Sequence, residues 1–118
     1  NIQEKYRMNT KQAFGDYLRT LREEHNLPIR KVASKLDIDP STLSKIERGE
    51  RSANKDMLSA LSELFNVDEK VLGVILFSDM VAYQILEEEN TQEILKVAEE
   101  KIHYLKNKNL KQGSLDLK

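Results

Sequence analysis

The stretch from Leu36 to Gly49, LDIDPSTLSKIERG, constrains the fold more than any other part of the chain. An apolar-ended helix stops at Leu36, and the chain restarts as a helix at Asp39 and Pro40. Asp39 suits the N-cap, and Pro40 suits the first helical position, where a missing N–H costs nothing. Leu43 and Ile46 give the new helix one apolar stripe, and Gly49 ends it, as a residue that tolerates positive φ should. Ser41, Thr42, Ser44, Lys45 and Arg48 are left for the other faces. Two helices joined by so short a turn form a helix-turn-helix. A second helix carrying short polar and cationic side chains fits a DNA major groove, where base edges offer donors and acceptors.

Pro28 to Asn54 resembles the helix-turn-helix of the lambda-type phage repressors and Cro, and of the wider bacterial Xre-type regulators. The resembling residues are Val32, Ala33 and Leu36, then Ile38, Ser41 to Ser44, and Ile46 to Arg51. The match runs on to Phe65, and its V-A-x-x-L and S-x-x-S-x-I-E-x-G strings are specific only in combination. The resemblance implies an all-α, lambda-repressor-like five-helix DNA-binding domain. It also implies base contacts from Ser41, Ser44 and Lys45, with Pro40 shaping the entry, and a Glu47 that pairs with Arg22 and leaves DNA alone. The family usually opens the preceding helix with a Ser or Thr cap and a Gln that meets phosphate. Pro28 and Ile29 stand there instead, and Arg30 and Lys31, one position on, offer the charge. Asp37 replaces the glycine common in the turn; Asp is among the residues most tolerant of left-handed backbone.

Arg30, Lys31, Thr42, Arg51, Asn54 and Lys55 flank the second helix and are the candidate phosphate contacts, with an ordinary solvated side chain as the alternative for each. The net charge of −1 looks unsuited to a DNA binder until it is divided along the chain. Residues 1–55 hold 12 Lys and Arg against 8 Asp and Glu, whereas residues 56–118 hold 7 against 12. A basic half beside an acidic half implies a nucleic-acid face and a second half with another task.

The rest of the chain reads as helices. Phe14, Tyr17, Leu18, Leu21 and His25 recur at helical spacing from Thr10 on, with His25 at the helix end rather than in a metal or catalytic site. Asn54 reads as the cap of a helix with Met57, Leu58, Leu61, Leu64 and Phe65 inside, and Asp68 as the cap of a further one with Val71, Leu72, Ile75 and Leu76. The expected domains are a flexible segment 1–9, a DNA-binding domain 10–77, a helical dimerisation extension 78–110 and a flexible tail 111–118. In the extension, Thr91 reads as the cap of a helix from Gln92 to Asn107. Leu95, Ala98, Ile102 and Leu105 follow a 3-4-3 spacing like coiled-coil seam positions, and with Met80 and Tyr83 they are the candidate dimer interface.

The chain has no cysteine, so a disulfide framework and a thiol nucleophile are excluded. It contains no glycine-rich phosphate loop, no H-E-x-x-H and no G-x-S-x-G, so no enzyme activity, metal or cofactor is expected. No apolar run approaches the ~18 residues of a membrane span and no signal pattern opens the chain, which makes the cytoplasm the default location. The expected function is a homodimeric, sequence-specific repressor reading a palindromic operator in double-stranded DNA. The alternative is an antitoxin-like or anti-regulator module whose C-terminal half binds a partner protein.

Overall fold

The computed structural model describes residues 12–116. Among them the chain forms six helices and no strand: α1 Phe14–Glu24, α2 Ile29–Leu36, α3 Pro40–Glu47, α4 Met57–Phe65, α5 Glu69–Ile85 and α6 Thr91–Asp116. The expected flexible segment 1–9 lies outside the described residues. Two compact units divide between Ala82 and Tyr83. None of the six helices is long and apolar enough to cross a membrane.

The first unit is built around one core. Phe14, Leu18 and Leu21 of α1, Val32 and Ala33 of α2, Leu43 and Ile46 of α3, Leu58, Leu61 and Phe65 of α4, and Leu72, Ile75 and Leu76 of α5 are all buried. Their spacing is the three-and-four spacing of a helix with one apolar stripe. α3 packs against both α1 and α2, and α2 against α4.

Helices α1 to α4 end by one device. Asn26, Asp37, Gly49 and Asn66 each turn left-handed, with φ of 53°, 57°, 76° and 54°. After each, an N–H reaches back five residues, from Leu27 to Arg22, Ile38 to Ala33, Glu50 to Lys45 and Val67 to Ser62. This satisfies carbonyls that a helix end would otherwise orphan, and Asn and Asp bear positive φ better than other side chains. Asp37 therefore turns the chain as the expected glycine substitute.

Several helix starts differ from expectation. The spacing predicts α1 from Thr10, but Ala13 is extended and the helix opens at Phe14. The Phe14 N–H is capped by Asp79 Oδ2 of α5 at 2.7 Å, a partner 65 residues away that no local pattern reveals. Asp39 occupies the N-cap of α3, but its carboxylate makes no cap hydrogen bond. Asn54 does not cap α4; its carbonyl accepts from Met57 N–H in a tight turn, and the helix opens at Met57. Asp68 does cap α5, accepting from Lys70 N–H at 2.8 Å. Thr91 is the first residue of α6 rather than its cap, and the Asn90 carbonyl takes the first hydrogen bond.

The boundary expected after Phe77 falls inside α5, because residues 78–85 continue its helix unbroken. α6 likewise runs past Asn107 and through Gly113 to Asp116, where a flexible tail is expected from 111. One glycine costs a helix only about 1 kcal/mol relative to alanine, too little to end a run of good helix formers.

At Gly15 the backbone of α1 comes close to that of α3. A Cβ there would clash with the Ile46 carbonyl oxygen and lie 2.8 Å from that of Glu47. Both atoms are backbone at the end of α3, so neither can swing aside. Helix propensity alone predicts that Gly15→Ala stabilises the protein by about 1 kcal/mol. The crossing predicts the opposite sign, a loss of about 1–3 kcal/mol through overpacking. Urea denaturation of the variant reads the sign directly.

Candidate nucleic-acid interface

On α3, Leu43, Ile46 and Glu47 point inward and are buried. The positions three, four and seven residues on from Ser41 are Ser44, Lys45 and Arg48, so these four share the opposite face. Ser41, Lys45 and Arg48 are exposed there and Ser44 is half-buried. Pro40 is exposed at the N-terminal end of α3, and Thr42 is half-buried at the margin of this face. The sequence expectation leaves Arg48 out of the contact set. Its heptad-like distance from Ser41 is the signal that places it with the others.

Arg48 also has a partner. Its Nε–H donates to Glu50 Oε2, two residues on and outside the helix. That bond, reinforced by charge attraction, holds the Glu50 carboxyl below the usual carboxylate range and raises the Arg48 guanidinium above its own; Lys45 adds a smaller pull on Glu50. Both side chains are more than half exposed, so the pair can open when a stronger anion arrives.

The flanking cations lie where the chain order suggests. Arg30 and Lys31 are exposed in the first turn of α2, and Arg51, Asn54 and Lys55 are exposed in the loop leading to α4. Lys55 also lines an open groove between α4 and α5, together with Leu58, Gly73 and Phe77. His25 lies apart from these residues. Its Nδ1–H donates to the Leu21 carbonyl at 2.8 Å, and its ring stacks edge-on against Phe65.

Glu47 is the one buried charged residue among the described residues, with 5% of its side chain exposed, and Arg22 of α1 meets it with 13% exposed. Arg22 Nε–H donates to Glu47 Oε2 at 2.7 Å and Nη2–H to Oε1 at 3.0 Å, a two-pronged pairing of fork and carboxylate. The remaining prong, Nη1–H, donates to the Leu27 carbonyl at 3.0 Å and ties in the end of α1. The hydrogen bond to Glu47 raises the Arg22 guanidinium above its ordinary range despite burial. With Glu47 committed inward, its charge is withheld from the face that Ser41 and Lys45 occupy.

Breaking so buried a pair strands one charge. Arg22→Ala or Glu47→Ala should each cost about 3–5 kcal/mol in urea denaturation. The double replacement Arg22→Ala with Glu47→Ala should cost far less than the sum, because no charge is then left unpaired. Additive losses would contradict the assignment of this pair as a coupled unit.

Residues 18–72 match the family model described as helix-turn-helix. No curated protein and no solved structure matches the chain. The matched residues span α1 from Leu18 through the first turn of α5, and so contain the whole exposed face of α3 and its flanking cations. Residues 18–72 thus form an Xre/lambda-repressor-like helix-turn-helix, which supports a DNA-binding transcriptional regulator of that type.

Proposed function

We propose that the protein is a homodimeric repressor that reads a palindromic operator through α3. The observation that carries this reading is the division of α3 into two faces. One is anchored by Leu43, Ile46 and the paired Glu47, and the other holds Ser41, Ser44 and Lys45 with exposed cations on either side. In this reading Lys45 donates to guanine O6 or N7, the two serines read neighbouring base edges, and Pro40 lets the helix end approach the groove. Arg30, Lys31, Thr42, Arg51, Asn54 and Lys55 hold phosphates and set the register without reading sequence.

Two classes of variant separate these roles. After a cognate duplex is selected from a random library by the full chain, Lys45→Ala should cost about 1–3 kcal/mol on it and relax the preference at one base pair. Replacing Arg30, Lys31, Arg51 or Lys55 should weaken every duplex alike and lower the slope of log K against log salt by about 0.9 each. A uniform loss with Lys45→Ala would move that residue to the phosphate class. A salt-insensitive affinity would remove the phosphate set.

Dimerisation is supported by the apolar side chains left in water. Ile102 and Leu105 of α6 are 52% and 50% exposed, and Leu95 is similarly exposed, with Ala98 half-buried among them. On α5, Met80 and Tyr83 are exposed as well. Fully burying one such side chain is worth about 1.5–3 kcal/mol, which a symmetric partner would collect at each position twice. A two-fold dimer would set two copies of α3 about 34 Å apart on one face of DNA, and a palindromic operator follows from that symmetry. Sedimentation of the full chain should give a dimer at micromolar concentration, and Ile102→Glu with Leu105→Glu should give a folded monomer. A wild-type monomer that still binds its site without cooperativity would overturn the dimer.

A further inference from the structure

The hydrogen bond from Phe14 N–H to Asp79 Oδ2 joins the start of α1 to α5 at 2.7 Å. Ala13, at the N-cap of α1, has no side chain able to accept, so Asp79 serves as the missing cap from another helix. Its negative charge also lies at the positive end of the α1 dipole. The next residue is Gly15, whose Cα lies against the carbonyls of Ile46 and Glu47 at the end of α3. The capped end of α1 is therefore also one of the two places where α1 grips α3, the other being Arg22 on Glu47. Asp79 itself is only half-buried and makes no ion pair among the described residues, so its partner at the start of α1 is not explained by charge pairing elsewhere.

We propose that Asp79 is a positioning residue for DNA recognition, acting through α1 on the C-terminal end of α3. It rests on the helix-turn-helix reading of α3 and not on the dimer. An uncapped first turn leaves the Phe14 and Gly15 backbone free to fray. Gly15 has no side chain of its own to hold the crossing, so fraying there loosens the α3 end that it abuts and leaves the Arg22–Glu47 pair to hold it alone. The population with α3 seated for the groove then falls, and the apparent affinity falls by the same fraction. Asp79 reaches no base or phosphate in this scheme.

Asp79→Ala removes both acceptor and charge, whereas Asp79→Asn keeps an acceptor oxygen in the same place. The full chain carrying each is compared with the wild type at a temperature where circular dichroism reports all three folded. Two readouts are taken: amide hydrogen exchange at Phe14 and at Arg48 and Gly49, and affinity for the duplex selected by the wild type across a range of salt. Asp79→Ala should speed exchange at Phe14 and, with it, at Arg48 and Gly49, whose N–H groups close the end of α3. Affinity should fall by about two- to thirtyfold, the factor that loss of an ordinary cap corresponds to, with the salt slope unchanged. Asp79→Asn should recover most of both. Faster exchange confined to Phe14, with affinity unaltered, would overturn the proposal and leave Asp79 a local cap. A changed salt slope would overturn it by placing Asp79 near the phosphates. If the wild type selected no duplex, the operator reading would fail by itself, while exchange at Arg48 and Gly49 would still decide the coupling.

Discussion

The recognition helix of this protein is eight residues long, too short to hold its shape or place by itself. What fixes it is the crossing of α1 over its C-terminal end. At one point Gly15 lets the two backbones approach to a distance that admits no side chain. At another, Arg22 grips the Glu47 carboxylate with two hydrogen bonds. Both act on the same residue of α3, one through its backbone and the other through its side chain. A close backbone approach fixes separation, while a planar ion pair fixes rotation about the helix axis. In the proposed reading rotation decides which side chains meet a base edge, since a turn of about 100°, one residue's worth, would take Lys45 off the exposed face and bring Ile46 or Glu47 toward it.

A buried ion pair is a poor way to gain stability, because desolvation consumes most of the attraction. Its use here is easier to understand as specification. An apolar pair at these positions would permit many rotations of α3 with similar burial, whereas a fork meeting a carboxylate permits few. The third prong of Arg22, on the Leu27 carbonyl, extends the same grip to the connector that launches α2. The two helices of the motif are thereby referred to a single guanidinium on a third.

Much of this was legible in the residues. Asp39-Pro40 and Gly49 bracket α3, and Val32, Ala33, Leu43 and Ile46 mark its buried side, because local caps and three-and-four spacing are written within a few positions. The proximity of Arg22 and Glu47 followed from resemblance, not from spacing. Features that depend on distant partners were not legible. Gly15 reads as a weak point in a helix until the carbonyls of α3 are set beside it. The opening of α1 at Phe14 depends on Asp79, which the chain brings back only in the fourth helix after it. The length of α5 was missed for a related reason. Met80, Val81 and Tyr83 look like a new apolar segment, yet nothing between Phe77 and Ile85 breaks a helix, and exposure rather than burial is their state.

In the proposed function the exposed face of α3 is the surface that meets DNA, and α1 holds it there. The most direct test is amide chemical-shift mapping of the full chain during titration with its selected duplex. The largest shifts are expected at residues 40–45, smaller ones at 30–31 and 51–55, and little change at Leu18, Leu21 and the Arg22–Glu47 pair. Shifts concentrated on α6, or a wholesale change along α1, would contradict it.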